Sequence, residues 1–218
     1  MLYRDRHDAG RELARKLGAY RDRDDVVVLA LPRGGVPVAY EVASALHARL
    51  DVFVVRKLGT PGQPELAMGA IASGGVKVLN PEVVEGLGIS EEMIERVAQT
   101  EGEELKRREQ MYRGMRPPVE VRGKIVIVVD DGLATGSTMR AAAQALRQEG
   151  AARTVIAVPV AAVQSCESMK READEVVCGA TPEPFFAVGQ WYRDFEQTSD
   201  EEVRELLELS ERQNRAAS

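Results

Sequence analysis

Four short runs constrain this chain more than anything else in it: VVVLAL (26–31), DVFVVR (51–56), KIVIVV (124–129) and TVIAVPV (154–160). Each is apolar and largely β-branched at consecutive positions rather than at alternate ones. A strand with one wet face alternates; a strand covered on both faces does not, and that situation belongs to parallel sheets layered between helices. The stretches between the runs agree. VPVAYEVASALHARL after the first run and residues 138–149 after the third read as helices, and residues 7–20 set Leu13, Leu17 and Tyr20 on one helical face. Strand, helix and strand in succession fit a right-handed crossover unit. The sequence therefore predicts an α/β fold, an open and mostly parallel twisted sheet with flanking helices.

Two segments fall outside that alternation. Residues 57–122 begin with the Gly- and Pro-rich KLGTPGQPELAMGAIASGGVKVLN, read as a flexible loop and then a hairpin around Ser73–Gly75. A long charged helix follows over 90–113, acidic at its start (SEE) and basic at its end (KRREQMYR), as the helix dipole favours. Lys106, Arg107 and Arg108 accordingly read as a solvated helix face rather than a nucleic-acid site. Further on, a helix over 163–172, a strand over 175–178 and a last helix over 200–209 are expected. On this reading residues 1–218 form one domain, with 57–122 inserted and 175–218 forming a small C-terminal hood and terminal helix.

Composition removes several classes of function. A net charge of −6 argues against general affinity for nucleic acid or anionic membranes. No apolar run approaches the roughly 18 residues of a membrane span, and MLYRDRHDAG does not read as a signal peptide, so a cytoplasmic setting is expected. His7 and His47 are the two histidines, too few for chemistry built on several. Cys166 and Cys178 match neither a redox pair nor a zinc knuckle, and reduced structural thiols are expected.

The segment VVDDGLATGST (128–138) carries the chemistry. In an open parallel sheet, ligands bind beyond the carboxyl ends of the strands, which is where Asp130 and Asp131 fall. The helix expected to open at Thr138 offers free N–H groups and a positive dipole end, a setting for phosphate. Gly132 and Gly136 allow a tight loop, while Thr135, Ser137 and Thr138 add hydroxyl donors. Each hydrogen bond to a charged oxygen contributes about 1.5–3 kcal/mol. The two acids suit a different partner: sugar hydroxyls, or Mg²⁺ held through water. Neither GxxxxGK nor GxGxxG is present, which sets aside P-loop nucleotide binding and dinucleotide-dependent redox chemistry.

VIVVDDGLATGSTM closely resembles the phosphoribosyl-pyrophosphate motif of type I phosphoribosyltransferases. The resemblance implies that Asp130 and Asp131 bind the ribose hydroxyls and Mg²⁺, and that Ala134, Thr135, Gly136, Ser137 and Thr138 hold the 5′-phosphate. Ala134 stands where some members carry a third acid, so the motif supplies no proton acceptor; Glu65 is the substitute candidate. ALPRGGVPVA (30–39) looks like the family's pyrophosphate loop, with Arg33 bringing charge and Gly34 and Gly35 exposing N–H groups, although RGG also fits an ordinary strand-to-helix turn. The family often has a non-proline cis peptide in this loop, expected here near Arg33–Gly34. Lys57, with Arg56 second, is the candidate for a basic contact to pyrophosphate, against the alternative of a solvated strand-end pair.

EPFFAVGQWYRDF (183–195) is similar to the base-binding segment of 6-oxopurine enzymes, which would make Phe186 the stacking residue, with Val188 and Asp194 nearby. The lysine that reads the purine oxo group has no counterpart in PVAAVQS (159–165). Phe185, Phe186, Trp191, Tyr192 and Phe195 equally fit a small satellite core. The resemblance implies a Mg²⁺-dependent transferase acting on phosphoribosyl pyrophosphate and a nucleobase-like acceptor, and a homodimer. A regulatory binding protein of the same fold is the alternative.

Overall fold

The computed structural model describes residues 2–217. Five parallel strands form the main sheet in the order β2-β1-β6-β7-β8: β1 (Val26–Ala30), β2 (Arg49–Val52), β6 (Ile125–Val129), β7 (Arg153–Val160) and β8 (Glu175–Ala180). Between β2 and β6, a second sheet of three antiparallel strands joins β3 (Val55–Thr60), β4 (Gln63–Ala72) and β5 (Lys77–Leu79). The helices are α1 (Arg6–Lys16), α2 (Gly35–Leu46), α3 (Pro81–Gly86), α4 (Glu91–Arg113), α5 (Ser137–Gln148), α6 (Val163–Met169) and α7 (Asp200–Ala217).

Both faces of the main sheet are covered, as the unbroken apolar runs require. Along β1, Val26, Val28 and Ala30 enter the core shared with α1, α2 and α7, while Val27 and Leu29 enter the opposite core with α5 and α6. Every residue of β1 is buried, and each large side chain so placed contributes about 1.5–3 kcal/mol.

The run DVFVVR departs from expectation by serving two sheets. It pairs with β1 only as far as Val52; Phe53 N–H still donates to Ala30 O (2.9 Å), and then Val54 N–H is captured by Ser73 Oγ (2.8 Å). From there the chain runs as β3 in the antiparallel sheet. The segment expected as a loop is the tip of the β3–β4 hairpin, with Gly62 at φ 81° in its turn. The expected hairpin at Ser73–Gly75 is present between β4 and β5, and α3 was not anticipated.

The long helix α4 matches expectation, capped by Ser90 at its start and Gly114 (φ 61°) at its end. Arg107 and Arg108 both bind Glu104 on the same helix, holding its carboxyl down at about 2, which fits the solvated-face reading of this basic cluster. At the C-terminal end of α4 Arg113 reaches the buried Asp51 of β2, with Nε 3.0 Å from both carboxylate oxygens. The cysteines correct the sequence reading. Cys166 on α6 and Cys178 on β8 form a disulfide, because the chain after α6 turns back and brings their Cα atoms to 6.6 Å.

Candidate active site at the sheet's switch point

The chain winds outward from β1 in both directions, to β2 on one side and β6 on the other. A crevice opens at such a reversal, beyond the carboxyl ends of the two central strands. The loop after β1 is Leu31–Gly34, and the loop after β6 is Asp130–Gly136; they meet here. Their contact is close enough to dictate glycine. A Cβ on Gly34 would lie 2.1 Å from Asp131 Oδ2, and one on Gly35 would lie 2.7 Å from Val129 O and 2.9 Å from Asp130 Cα.

From sequence these glycines are expected to present N–H groups to a ligand. Gly35 does not do so, since its N–H donates to Leu31 O (3.1 Å) inside the turn that starts α2. The non-proline cis peptide lies at Pro32–Arg33, one bond earlier than expected.

The two acids are held differently. Asp130 Oδ1 accepts the Asp131 N–H (2.8 Å), and Asp131 Oδ2 accepts Nε of Arg6 (2.9 Å). Among the described residues each carboxylate thus has one oxygen engaged by a hydrogen bond and one without such a partner, a geometry compatible with two neighbouring hydroxyls. Burial, and secondarily the charge of Asp131, push the Asp130 carboxyl well above the usual carboxylate range. Burial also raises Asp131, with the Arg6 guanidinium opposing it.

Leu133 is a central anchor of the rest of the loop. Leu133 is buried, its N–H donates to Val160 O (2.9 Å), and its carbonyl accepts the Ala162 N–H (3.0 Å). Ser165 Oγ also donates to Ala134 O, and Gly136 turns into α5 at φ 77°. Thr135, Ser137 and Thr138 are exposed on the solvent side. Among the described residues, the N–H groups of 134–138 have no acceptor, so the start of α5 presents donors and a positive dipole end together. Such a cradle favours a phosphate.

A family model for the phosphoribosyl transferase domain matches residues 3–189. The chain belongs to this family. Two curated relatives from strains of Mycobacterium tuberculosis, each named "Putative phosphoribosyl transferase", are 51% identical over 211 residues, covering 97% of this chain. The chain spans about half the length of these relatives (47%). A crystal structure of a protein from Thermus thermophilus is similar at 44% identity and a TM-score of 0.83, covering 95% of this chain and 98% of that one.

The other candidates lie around the edges of this phosphoribosyl transferase domain. Arg33 leans toward the first turn of α7, with Nη1 3.7 Å from Asp200 Oδ1, an oxygen that also accepts from Tyr112 (2.8 Å). Lys57 and Glu65, proposed for pyrophosphate and for proton transfer, pair with each other across the hairpin (3.5 Å). Arg56 is committed to Glu101 on α4 (2.6 Å), which leaves Lys57 the more available base. In the hood, Val188 presses on the loop, so that a Cβ on Gly132 would lie 2.4 Å from its Cγ1. Phe185, Trp191, Tyr192 and Phe195 join Val188 in a satellite core, whereas Phe186 stays outside it, 80% exposed. Asp194 is exposed; its N–H donates to Arg4 O, and its Oδ1 accepts the Glu196 N–H (3.2 Å).

Two residues of the site escaped the sequence reading. Tyr192 donates its hydroxyl to Asp131 O (2.6 Å), and Arg6 pairs with the Asp131 carboxylate. Arg6 left one signal: it is the first residue of α1, where the helix dipole disfavours a cation. The donor set also fits Mg²⁺ in a limited way. No cluster of three metal-binding side chains exists among the described residues, so the protein offers two hard carboxylates and a ligand must supply the rest, as Mg²⁺ sites with phosphates do.

Proposed function

We propose that this site transfers a 5-phosphoribosyl group from phosphoribosyl pyrophosphate to a ring nitrogen of a nucleobase-like acceptor, releasing pyrophosphate. The observation that carries the reading is the meeting, at one switch point, of two carboxylates and a run of N–H and hydroxyl donors, each with groups that have no partner among the described residues. Asp130 and Asp131 take the ribose hydroxyls, while residues 134–138 take the 5′-phosphate. Held at both ends, the sugar keeps C1 at a fixed place, which lowers the entropic part of the barrier.

In the reaction the bond from C1 to pyrophosphate breaks ahead of the new bond to nitrogen. Arg33, half-buried, and Lys57, exposed, are the cations for the departing charge. Mg²⁺, held by Asp130 and Asp131 through water or ribose hydroxyls, would supply further positive charge to the pyrophosphate oxygens. Covering the sugar and keeping water out would fall to the β3–β4 hairpin.

The acceptor side favours a second reading. Phe186 is 80% exposed and the oxo-reading lysine is missing, an arrangement that suits a ligand-binding regulator of weak or no catalysis. Calorimetry with phosphoribosyl pyrophosphate in Mg²⁺, followed by pyrophosphate release with a panel of nucleobases, separates the two. Turnover with one acceptor supports the transferase; binding without turnover supports the regulator; no binding refutes both. Hypoxanthine and guanine are expected to be poor acceptors.

A further inference from the structure

Arg6 comes from the first turn of α1, far in sequence from both loops, yet it touches three parts of the site. Its Nε donates to Asp131 Oδ2 (2.9 Å), its Nη1 donates to Glu196 O (2.6 Å), and its guanidinium carbon lies 3.9 Å from the centre of the Phe195 ring. Arg6 and Asp131 are both largely buried, with 11% and 16% of their side chains exposed. The surrounding backbone repeats the connection. Arg193 N–H donates to Tyr3 O and Asp194 N–H to Arg4 O (2.9 Å each), so the chain leading into α1 and the hood form one ribbon. Tyr192, in that ribbon, holds the Asp131 carbonyl.

We propose that Arg6 is a positioning residue for Asp131, which aligns the carboxylate for a sugar hydroxyl only while the hood is seated. By occupying Oδ2 it fixes the carboxylate's rotation and leaves Oδ1 for the ligand. By stacking on Phe195 and bonding Glu196 O, it makes that rotation depend on residues 195–196. A guanidinium can do all three at once because its donors are set in a plane whose face remains free for an aromatic ring. Among the described residues none of Arg6's contacts falls on residues 134–138, which Leu133 anchors separately through Val160 at the end of β7 and Ala162 just beyond it. Arg6 therefore acts on the sugar half of the ligand and leaves the phosphate half alone. This rests on the reading of Asp131 as a sugar-hydroxyl acceptor.

The test is calorimetric titration of the full chain with ribose 5-phosphate and, separately, with inorganic phosphate. Arg6→Ala is expected to weaken ribose 5-phosphate about ten- to a hundred-fold, the equivalent of one charge-assisted hydrogen bond. Inorganic phosphate should stay within about two-fold of wild type. Phe195→Leu should shift the same ligand in the same direction by less, and add little on top of Arg6→Ala, because the two act through one contact. Arg6→Lys keeps the charge and guards against a misfolded alanine variant; lysine cannot bond both oxygens and stack, so it too should lose ribose 5-phosphate selectively.

Equal loss of both ligands in either variant overturns the proposal, since that marks a merely structural residue. Unchanged ribose 5-phosphate affinity overturns it as well. Wild-type chain that binds inorganic phosphate but gains nothing from the ribose refutes the sugar reading of the acids itself, and this inference with it.

Discussion

Gly34→Ala tests the meeting of the two loops directly. Gly34 has φ −59° and ψ −31°, a helical conformation that alanine prefers by about 1 kcal/mol, so the backbone alone predicts a neutral or stabilising change. Space predicts the opposite. The new Cβ would sit 2.1 Å from Asp131 Oδ2, 2.8 Å from its Cγ and 3.3 Å from Arg6 Nε. An ordinary carbon–oxygen contact is about 3.3–3.6 Å, so the carboxylate must retreat by about 1 Å. Overpacking of this kind costs about 1–3 kcal/mol, and the preference for alanine offsets part of it.

The expected outcome is a net loss of about 1–2 kcal/mol, or a melting temperature lower by about 2–8 °C in a chain of this size. Ribose 5-phosphate affinity should suffer more, because misaligning one charge-assisted hydrogen bond to the sugar costs about ten- to a hundred-fold in binding. Gly35→Ala should show the reverse balance. Its Cβ meets the backbone of Val129 and Asp130, which cannot retreat, so stability should fall by about 2–3 kcal/mol. Differential scanning calorimetry and ligand titration of both variants decide the matter. A Gly34→Ala protein with wild-type melting and affinity would refute the close approach on which the site is built.

Asp130→Asn should raise the melting temperature at neutral pH while weakening ribose 5-phosphate. The folded pKa of Asp130 is raised, so its contribution to stability is present below the ordinary carboxylate value and is lost as pH rises through the raised one; the gain from asparagine should therefore vanish on acidification, as thermal scans across pH would show. Arg113→Ala strands the buried Asp51 carboxylate and should cost about 3–5 kcal/mol in chemical denaturation, far more than removal of an exposed pair. Cys178→Ser releases a constraint of twelve residues' separation and should cost about 3 kcal/mol, measurable as an equal loss on adding a dithiol reductant to the wild type. Phe186→Ala should raise KM for the acceptor while leaving phosphoribosyl-pyrophosphate affinity unchanged; steady-state kinetics would show any change in the latter.

What could be read from the sequence was what the chain writes locally. Buried strands announce themselves because every position of VVVLA must be apolar, and the tight loop after β6 because small residues and hydroxyls crowd behind two acids. Contacts made over long separations left little trace. Arg6 meets Asp131 across 125 residues, and nothing near Arg6 in sequence names its partner. The split of DVFVVR depended on Ser73, nineteen residues away, taking the Val54 N–H. The cysteines failed for a similar reason, since their adjacency is created by the turn between α6 and β8 and not by any motif. Phe186 and its aromatic neighbours have the same local character, and only packing separates the four that build a core from the one left outside.

Leu133 gives the phosphate loop an unusual division of labour. Because Leu133 and its two backbone bonds, to Val160 at the end of β7 and to Ala162 just beyond it, moor the segment together with Ser165, the side chains of Ala134, Thr135, Ser137 and Thr138 carry no hydrogen bond of their own among the described residues. On the proposed function, mutations at those positions should change which anion is held, and how tightly, without threatening the sheet beneath. Descendants of such a chain can therefore explore new ligands on an unaltered frame, whereas any change at Leu133 puts the loop and its chemistry at risk together.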